Sequence, residues 1–556
     1  MQHDLVIKGG TVIDGTGTPG FVADLGIVDG RISEVGQGLE GKEELDATGQ
    51  IVAPGFVDVH THYDPQVLWD RQLTPSSWHG VTSVVAGNCG FSVAPVKPEG
   101  REILIGTLEK VEDMDADAMR SGITWDFESY GDYLDSLKRA GLAINFGGYV
   151  GHTPIRIHIM GEEGCEREAT PHEIAEMKAL VARSIREGAL GFSTDRAGFI
   201  LGYKGKPVPS VVATQEETEA LMSVPAEIGQ GIAHIAPGEN YAWLPAFQRR
   251  IGGMINWSAI LAYPHGSGRD YSPKAALLAQ AKAEGAALVG QVTCRPIIQL
   301  LSLKTPYSYS NLPAFPEILA AAPDERATLY SDPDWRARLH AGLDQPNVLQ
   351  PRWNLMRVAE TTRHRALLGR SIADLAAERQ ARPFDVMIDL SLEDDLDTRF
   401  SVTFANDDED AVAALLKGDN CIIGLSDAGA HAAQICDAVL PTDFLSRWVR
   451  DRAIMPIEQG VRKLTGELAD VMRIDRGYLK PDMPADIVVF DLDQLEVGPI
   501  RRVHDFPGGA DRLIADAPRG IAHILINGVP IRRNGAIDRD GLACAPGQIL
   551  RSRPAA

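Results

Sequence analysis

Cysteines, basic residues and long apolar runs are all scarce in this sequence. Only six cysteines occur among 556 residues. They lie far apart with no paired spacing, which argues against a disulfide framework and favours buried thiols. There are 54 basic against 76 acidic residues, for a net charge of -22. Because nucleic-acid binding needs clustered lysine and arginine, we expect no nucleic-acid partner.

The sequence also shows no pattern typical of a membrane span or of a secretory signal. No apolar run approaches the roughly 18 residues that a membrane span needs, and the N-terminal "MQHDLVIKGGTVIDG" lacks a basic segment followed by an apolar one. We therefore expect a cytoplasmic protein without a membrane partner. The length predicts two or more structural units.

Short apolar strands alternate with segments of helical period through the middle of the chain. The candidate strands are 55–60, 81–88, 143–150, 188–193, 231–236, 253–261, 287–294 and 420–427. Residues 171–187 predict a helix that begins with Pro171 and has apolar residues at helical spacing. Eight strands with helical crossovers predict an α/β fold, a (β/α)8 TIM-like barrel with its site at the C-terminal strand ends.

The two ends of the chain share a different pattern of short alternating runs broken by Gly and Asp. This pattern predicts a small antiparallel sheet of hairpins. We expect residues 1–53 plus 475–556 to form a discontinuous β-sandwich domain, and residues 54–474 to form the barrel. The last crossover, at about 297–419, is far longer than a loop with one helix. It predicts an insertion with helical pieces on the active face, where it would select substrate.

Two histidines stand one residue apart in "PGFVDVHTHYD", at the end of the first candidate strand. Side chains alternate faces along a strand, so His60 and His62 point to the same side. Two imidazoles on one side can share a metal ion. The barrel interpretation puts them where barrel enzymes keep catalytic groups.

Several motifs together resemble a known group of enzymes. "PGFVDVHTH", "GLSDAGAH", "GYLKPDMPADIVVFD" and "ILINGV" resemble the amidohydrolase superfamily over nearly the whole chain. Within it, "HTHYD", "SSWHGVTSVVAGNCGFSVAPV", "GHTPIRIHIMG" and "GALGFST" resemble the N-acyl-D-amino-acid deacylase branch. The resemblance implies a metal-dependent hydrolase of amide C–N bonds other than peptide bonds. It also implies one or two zinc ions, with another divalent metal as an alternative, a small-molecule substrate and a homo-oligomer.

The resemblance assigns roles to residues at two further strand ends. Cys89, in "AGNCG", matches the cysteine that this branch uses as a metal ligand in place of a carboxylated lysine. A thiolate is a sound zinc ligand, and Gly87 and Gly90 leave room for close approach. Asp427 matches the strand-eight aspartate, which binds metal and acts as general base and then general acid.

The sequence departs from the branch at strands five and six. His234 lies two residues from the expected strand-five ligand and keeps its face, so it is either a metal ligand or a core histidine. Strand six has no histidine in register, although His265 follows in the loop. The lysine and arginine that hold the substrate carboxylate in the branch are absent. Arg295 is the nearest replacement and could bind a carboxylate bidentately; a structural salt bridge is the alternative.

Three more residues are candidates for substrate binding. His431 follows Asp427 by four residues, His152 ends strand three, and Trp69 flanks the first loop. Structural packing or hydrogen bonding would explain each of them equally. The lysine and arginine that bind the substrate carboxylate in the branch are missing here. A neutral aryl amide, carbamate, urea or cyclic amide is therefore an alternative substrate. A non-catalytic binding protein is a third hypothesis. The joint presence of four groups at predicted strand ends argues against it, namely His60, His62, Cys89 and Asp427.

Overall fold

A computed structural model describes residues 2–197, 201–263, 270–306, 309, 312, 314–322, 324–345 and 351–554. Its centre is a series of short parallel strands, and every predicted strand of this series is present. Their bounds are Phe56–Asp58, Val81–Ala86, Asn145–Gly148 continued by Val150–Gly151, Gly191–Asp195, Ile232–Ala236, Ile255–Trp257, Leu288–Val292 and Cys421–Ile423.

The parallel strands pair with one another in chain order. Phe56–Asp58 pairs with Val81–Ala86, which pairs with Asn145–Gly148. The third strand then continues as Val150–Gly151, the first member of a six-stranded parallel sheet that ends at Cys421–Ile423. A parallel bridge between Thr61 and Ala428 links the segments after the first and last strands. This order matches that of the predicted barrel.

Both ends of the chain contribute to one nine-stranded sheet. Its strands are His3–Val12, Phe21–Val28, Arg31–Gly36, Gly41–Asp46, Ile51–Pro54, Ile487–Phe490, Ile521–Ile526, Val529–Arg533 and Ala536–Ile537. The expected antiparallel hairpins are present, since Phe21–Val28 pairs antiparallel with both His3–Val12 and Arg31–Gly36. The sheet is mixed, however, because Gly41–Asp46 and Ile51–Pro54 both run parallel to His3–Val12. The second layer that a sandwich requires stays a prediction.

The long crossover after the seventh strand has its own sheet and its own core. Three antiparallel strands, Ile297–Ser302, Arg357–Glu360 and Arg399–Ala405, form the sheet, which the sequence analysis missed in favour of helices. A separate apolar cluster includes Phe315, Tyr330 and Trp335, and the Tyr330 and Trp335 rings meet edge to face at 5.3 Å. The crossover therefore packs as a small unit rather than as a loop.

The insertion returns to the parallel strands at one asparagine. The Asn406 side-chain oxygen accepts a hydrogen bond from the Ala262 backbone N–H at 2.7 Å. Its amide donates to the Thr293 carbonyl at 3.3 Å, and its own backbone N–H donates to the Ala262 carbonyl at 2.7 Å. Since these residues follow the sixth and seventh strands, this end of the insertion lies against the C-terminal ends of those two strands.

Helices fill the connections between strands. The predicted helix at 171–187 is confirmed as Pro171–Glu187, and Thr170 and Glu173 form a capping box at its start. Among the described residues no helix combines the length and the apolar character needed to cross a bilayer. The other α-helices are Arg101–Val111, Ala116–Gly122, Tyr130–Ala140, His152–Met160, Pro209–Val212, Gln215–Met222, Val224–Glu227, Leu244–Ile251, Ser272–Ala283, Phe315–Ala320, Arg326–Ser331, Pro333–Leu343, Ile372–Arg379, Pro383–Glu393, Glu409–Leu416, Leu440–Asp443, Ile457–Leu464, Gly466–Met472 and Arg539–Ala543.

A buried polar network joins the terminal sheet to the parallel strands. Asp486 pairs with Arg476 at 2.7 Å, and both side chains are buried. The Asp486 carboxylate also accepts hydrogen bonds from the Asn145 amide at 2.8 Å and the Asn527 backbone N–H at 2.7 Å. Asn145 belongs to the third parallel strand, so this carboxylate fixes one unit against the other.

Removing this carboxylate should destabilise the whole chain. We expect Asp486→Ala to lower the free energy of unfolding by about 3–5 kcal/mol, because Arg476 would become an unpaired buried charge. Urea denaturation followed by tryptophan fluorescence measures the change. Glu44→Ala, at an exposed position of Gly41–Asp46, is the control and should stay within about 0.5 kcal/mol of the parent. Equal stability of the two variants would contradict the assigned coupling.

Candidate metal centre

Three predicted ligands converge at the C-terminal ends of the first two parallel strands. One ligand atom each from His60, His62 and Cys89 lies within 4.8 Å of the others. The Cys89 sulfur is 3.5 Å from His60 Nε2. Both histidines are buried, with exposures of 1% and 3%. The alternation of side chains that the sequence predicted thus brings both imidazoles to one point.

Local backbone geometry aims these side chains. The first strand ends at Asp58, but the Thr61–Ala428 bridge keeps the chain extended through the two histidines. Cys89 adopts a left-handed backbone with φ 53°, an uncommon conformation for a non-glycine residue that is often found at functional sites. A Cβ on Gly87 would lie 2.3 Å from the Tyr149 carbonyl oxygen, so only glycine fits there.

A glutamine from the seventh strand orients His60. The Gln291 side-chain oxygen lies 2.5 Å from His60 Nδ1, where it can only accept a hydrogen bond, so Nδ1 carries the proton. Burial lowers the pKa of His60, but Cys89 and Asp427 outweigh it and raise that pKa, so without an ion Nε2 also carries a proton. When Nε2 gives up that proton and binds an ion, its lone pair faces the cluster, which is the tautomer a metal ligand requires. Gln291 is fully buried. A polar residue inside the apolar run "ALVGQVTC" was the signal that could have revealed it.

Asp427 stands at the open side of the cluster. Its Oδ1 is 3.1 Å from His60 Nε2 and 3.8 Å from His62 Nε2. The side chain is 32% exposed while His60 beside it is 1% exposed, so the carboxylate faces both the cluster and the space outside. Burial opposes its charge, but the Nε2–H hydrogen bond and the charge of the protonated His60 ring outweigh burial and lower the pKa of Asp427. It is therefore ionised at neutral pH.

Two acidic residues that the sequence analysis missed complete the surroundings. Glu112 follows the helix Arg101–Val111, and its carboxylate lies 3.7 Å from His62 Nδ1. Asp113 Oδ2 is 2.6 Å from His431 Nδ1. Burial raises the pKa of Glu112 to about 7. Burial lowers the pKa of His431, but the hydrogen bond to Asp113 outweighs burial and raises that pKa to about 9.

His234 lies next to the cluster and is not among its three members. Its Nε2 is 3.0 Å from the Ser258 hydroxyl oxygen, and its ring stacks on Tyr149 at 5.5 Å. The ring centroids of His234 and His60 are 5.6 Å apart. Its predicted role as a metal ligand stays a prediction. His265, the other candidate from this region, lies outside the described residues.

Arg295 and His152 are both engaged by other protein groups. Arg295 Nε donates to Asp437 at 2.7 Å, and its Nη1 lies 3.2 Å from Asp443. His152 is fully buried, with Nδ1 2.8 Å from the Thr194 hydroxyl and Nε2 2.9 Å from Glu217. Both residues therefore have the partners that a structural role would give them. Their predicted contacts with substrate stay predictions.

Trp69 lines a cavity beside the turn after the eighth strand, and His431 belongs to that turn. Trp69 lines a cavity of about 210 Å³ together with Asp113 and Gly429. Its ring meets Phe506 edge to face at 5.7 Å. Since Gly429 comes two residues after Asp427, the cavity lies beside the turn that carries the predicted base.

The donor set fits a zinc ion. Two imidazole nitrogens and one thiolate, with a carboxylate beside them, are ligand types that Zn²⁺ favours. Burial lowers the pKa of His62 to about 3, so its imidazole is neutral and free to ligate. Among the residues that the structure describes, the buried Nδ1 of His62 has no hydrogen-bond partner. Burial raises the pKa of the Cys89 thiol, and a coordinated metal would deprotonate it.

The ion pairs of Arg295 generate a test of its two possible roles. We expect Arg295→Met to lower the free energy of unfolding by about 3–5 kcal/mol, because Asp437 and Asp443 would share a buried site without their cation. Urea denaturation measures this. An unchanged stability together with a raised KM for anionic substrates alone would instead support the predicted carboxylate clamp.

This chain is similar to known proteins over nearly its whole length. The D-aminoacylase of Alcaligenes xylosoxydans xylosoxydans is 27% identical over 537 residues, which cover 96% of this chain and 95% of the relative. A solved D-aminoacylase structure with a binuclear metal centre matches with TM-score 0.69 and 25% identity, covering 99% of this chain and 100% of that one.

A second solved structure adds a ligand. N-acyl-D-glutamate deacylase from Bordetella bronchiseptica, complexed with zinc and a phosphonate inhibitor that mimics the tetrahedral intermediate, matches with TM-score 0.69 and 26% identity. The match covers 99% of this chain and 100% of that one. The sequence profile of the Amidohydrolase family matches residues 43–529. With a matched region of that extent and its predicted ligands together at the strand ends, the chain belongs to the Amidohydrolase family.

Proposed function

We propose that this protein is a zinc-dependent hydrolase that cleaves the amide bond of N-acyl-D-amino acids or related secondary amides. The observation that carries the proposal is the cluster of His60, His62 and Cys89 within 4.8 Å, with Asp427 3.1 Å from His60 Nε2. The similar proteins named above support the substrate class. The proposal covers one ion at this cluster; a second ion would need ligands such as His234.

The residues of the chain would divide the chemistry between them. His60, His62 and Cys89 would hold the zinc ion, which when bound polarises the scissile carbonyl and lowers the pKa of water. Asp427 would take a proton from the attacking water and later deliver it to the departing amine. Gln291 would keep His60 in the ligating tautomer.

The strand pairing supports a proposal for the architecture. We infer that the parallel strands close into a (β/α)8 barrel, because the Thr61–Ala428 bridge joins the first strand to the last. The proposed domains are 54–474 for the barrel, with the insertion at about 297–419, and 1–53 plus 475–556 for the terminal domain. Self-association and a cytoplasmic location stay predictions.

A pooled substrate panel tests the proposed activity. The purified protein with added zinc would be incubated with N-acyl-D-amino acids, their L-enantiomers, neutral anilides and carbamates, and each compound followed by mass spectrometry. We expect selective loss of the D-acyl compounds. Loss of only the neutral compounds would contradict the proposed substrate class and favour the neutral amide or carbamate alternative.

Asp427→Asn tests the proton-transfer role. We expect kcat to fall by about 10²- to 10⁴-fold, because an amide cannot accept the proton. Steady-state kinetics on the best substrate of the panel measures this. Asp395→Asn is a matched control, since Asp395 also has a left-handed backbone, with φ 53° against 46° for Asp427, and should leave kcat unchanged. A fully active Asp427→Asn variant would remove this residue from the mechanism.

Cys89→Ala tests the ligand set without reference to activity. We expect the bound zinc, measured by elemental analysis after dialysis, to fall well below one ion per chain, because a thiolate ligand is lost. Cys165→Ala alters another buried thiol outside the cluster and should keep the parent zinc content. Equal zinc in both variants would show that the ion binds elsewhere.

A further inference from the structure

The helix end at Glu112 and Asp113 contacts both the candidate metal centre and the turn that carries Asp427. We propose that these two acids are positioning residues: Glu112 accepts the hydrogen bond of His62 Nδ1–H when Nε2 ligates the ion, and Asp113 fixes His431. The inference rests on the proposed function, because it concerns how the chain orients a ligand of the proposed zinc ion. Neither acid belongs to a motif singled out in the sequence.

Glu112 is placed between two imidazoles. One carboxylate oxygen lies 3.7 Å from His62 Nδ1, and the other lies 3.9 Å from His431 Nε2. The residue is 5% exposed. Burying a carboxylate costs several kcal/mol unless it is paired, so its placement beside two ring nitrogens calls for an interaction that offsets the cost.

His62 supplies the missing half of that interaction. Its Nε2 faces Asp427 at 3.8 Å, while its buried Nδ1 has no hydrogen-bond partner in the described part of the chain. The gap of 3.7 Å to Glu112 is too long for a hydrogen bond, and the proposal requires the ring and the carboxylate to approach when Nε2 binds the ion. Metal-ligating histidines usually donate their second N–H to a carboxylate, carbonyl or water, which fixes the ring orientation.

The same helix end also holds the turn after the eighth strand. The His431 backbone N–H donates to the Glu112 carbonyl at 2.6 Å, and His431 Nδ1 lies 2.6 Å from Asp113. A Cβ on Gly429 would lie 2.6 Å from the His62 carbonyl, so the turn packs directly on the metal-ligand segment. Asp427 therefore sits in a turn that is fixed at both ends.

Zinc affinity is the measurement that separates positioning from simple packing. We expect Glu112→Gln to weaken zinc binding by about 10- to 100-fold in competition with a chromophoric chelator. The melting temperature of the metal-free variant should equal or exceed that of the parent, because one buried charge is removed. Glu109→Gln, one turn earlier on the helix at a half-exposed carboxylate, should bind zinc within twofold of the parent.

Asp113→Asn is the second variant and separates the two acids. It should keep zinc affinity within threefold but lower kcat by about tenfold, because Asp113 acts on the turn and not on His62. Parent-like zinc affinity in Glu112→Gln would overturn the inference while leaving the proposed function intact. Weakened binding that follows an equal loss of metal-free stability would also overturn it, since packing would explain it. A parent protein that binds no zinc would refute both.

Discussion

The joining of the first and last parallel strands is the constraint on which the site depends. The His62 backbone N–H donates to the Ala428 carbonyl at 2.7 Å, and the Ser426 hydroxyl donates to the His60 carbonyl at 3.1 Å. These bonds connect residues 366 positions apart in the chain. They hold the turn that carries Asp427 beside the two histidines.

Electrostatics around the cluster is dominated by acids. Asp427, Glu112 and Asp113 face the histidines, and each imidazole responds differently to its neighbours. His62 stays neutral through burial, while His431 gains a proton from its contact with Asp113. A divalent cation suits such a place, because it offsets the acidic charge that folding has concentrated there.

The sequence predicts those elements and site residues that leave a periodic apolar pattern or a recognisable motif. The eight strands, the helix Pro171–Glu187 and the cluster of His60, His62 and Cys89 all follow from alternation, capping or resemblance. Prediction from sequence fails where tertiary contacts decide. Nothing local in the sequence shows that Glu112 lies near His62 or that Arg295 pairs with Asp437. The same is true of the parallel pairing of Gly41–Asp46 with His3–Val12. Each of these depends on where distant segments are brought by the fold.

The sheet built from both termini has a consequence for the order of folding during synthesis. Ile51–Pro54 pairs with Ile487–Phe490. This N-terminal strand is therefore synthesised more than 400 residues before the strand with which it pairs. At roughly 5–20 residues per second, translation of that stretch takes about 20–90 s. During this time the edge of Ile51–Pro54 is unpaired on that side, and open edges are sites of misassociation. The nascent chain thus depends on its last strands to protect its first ones.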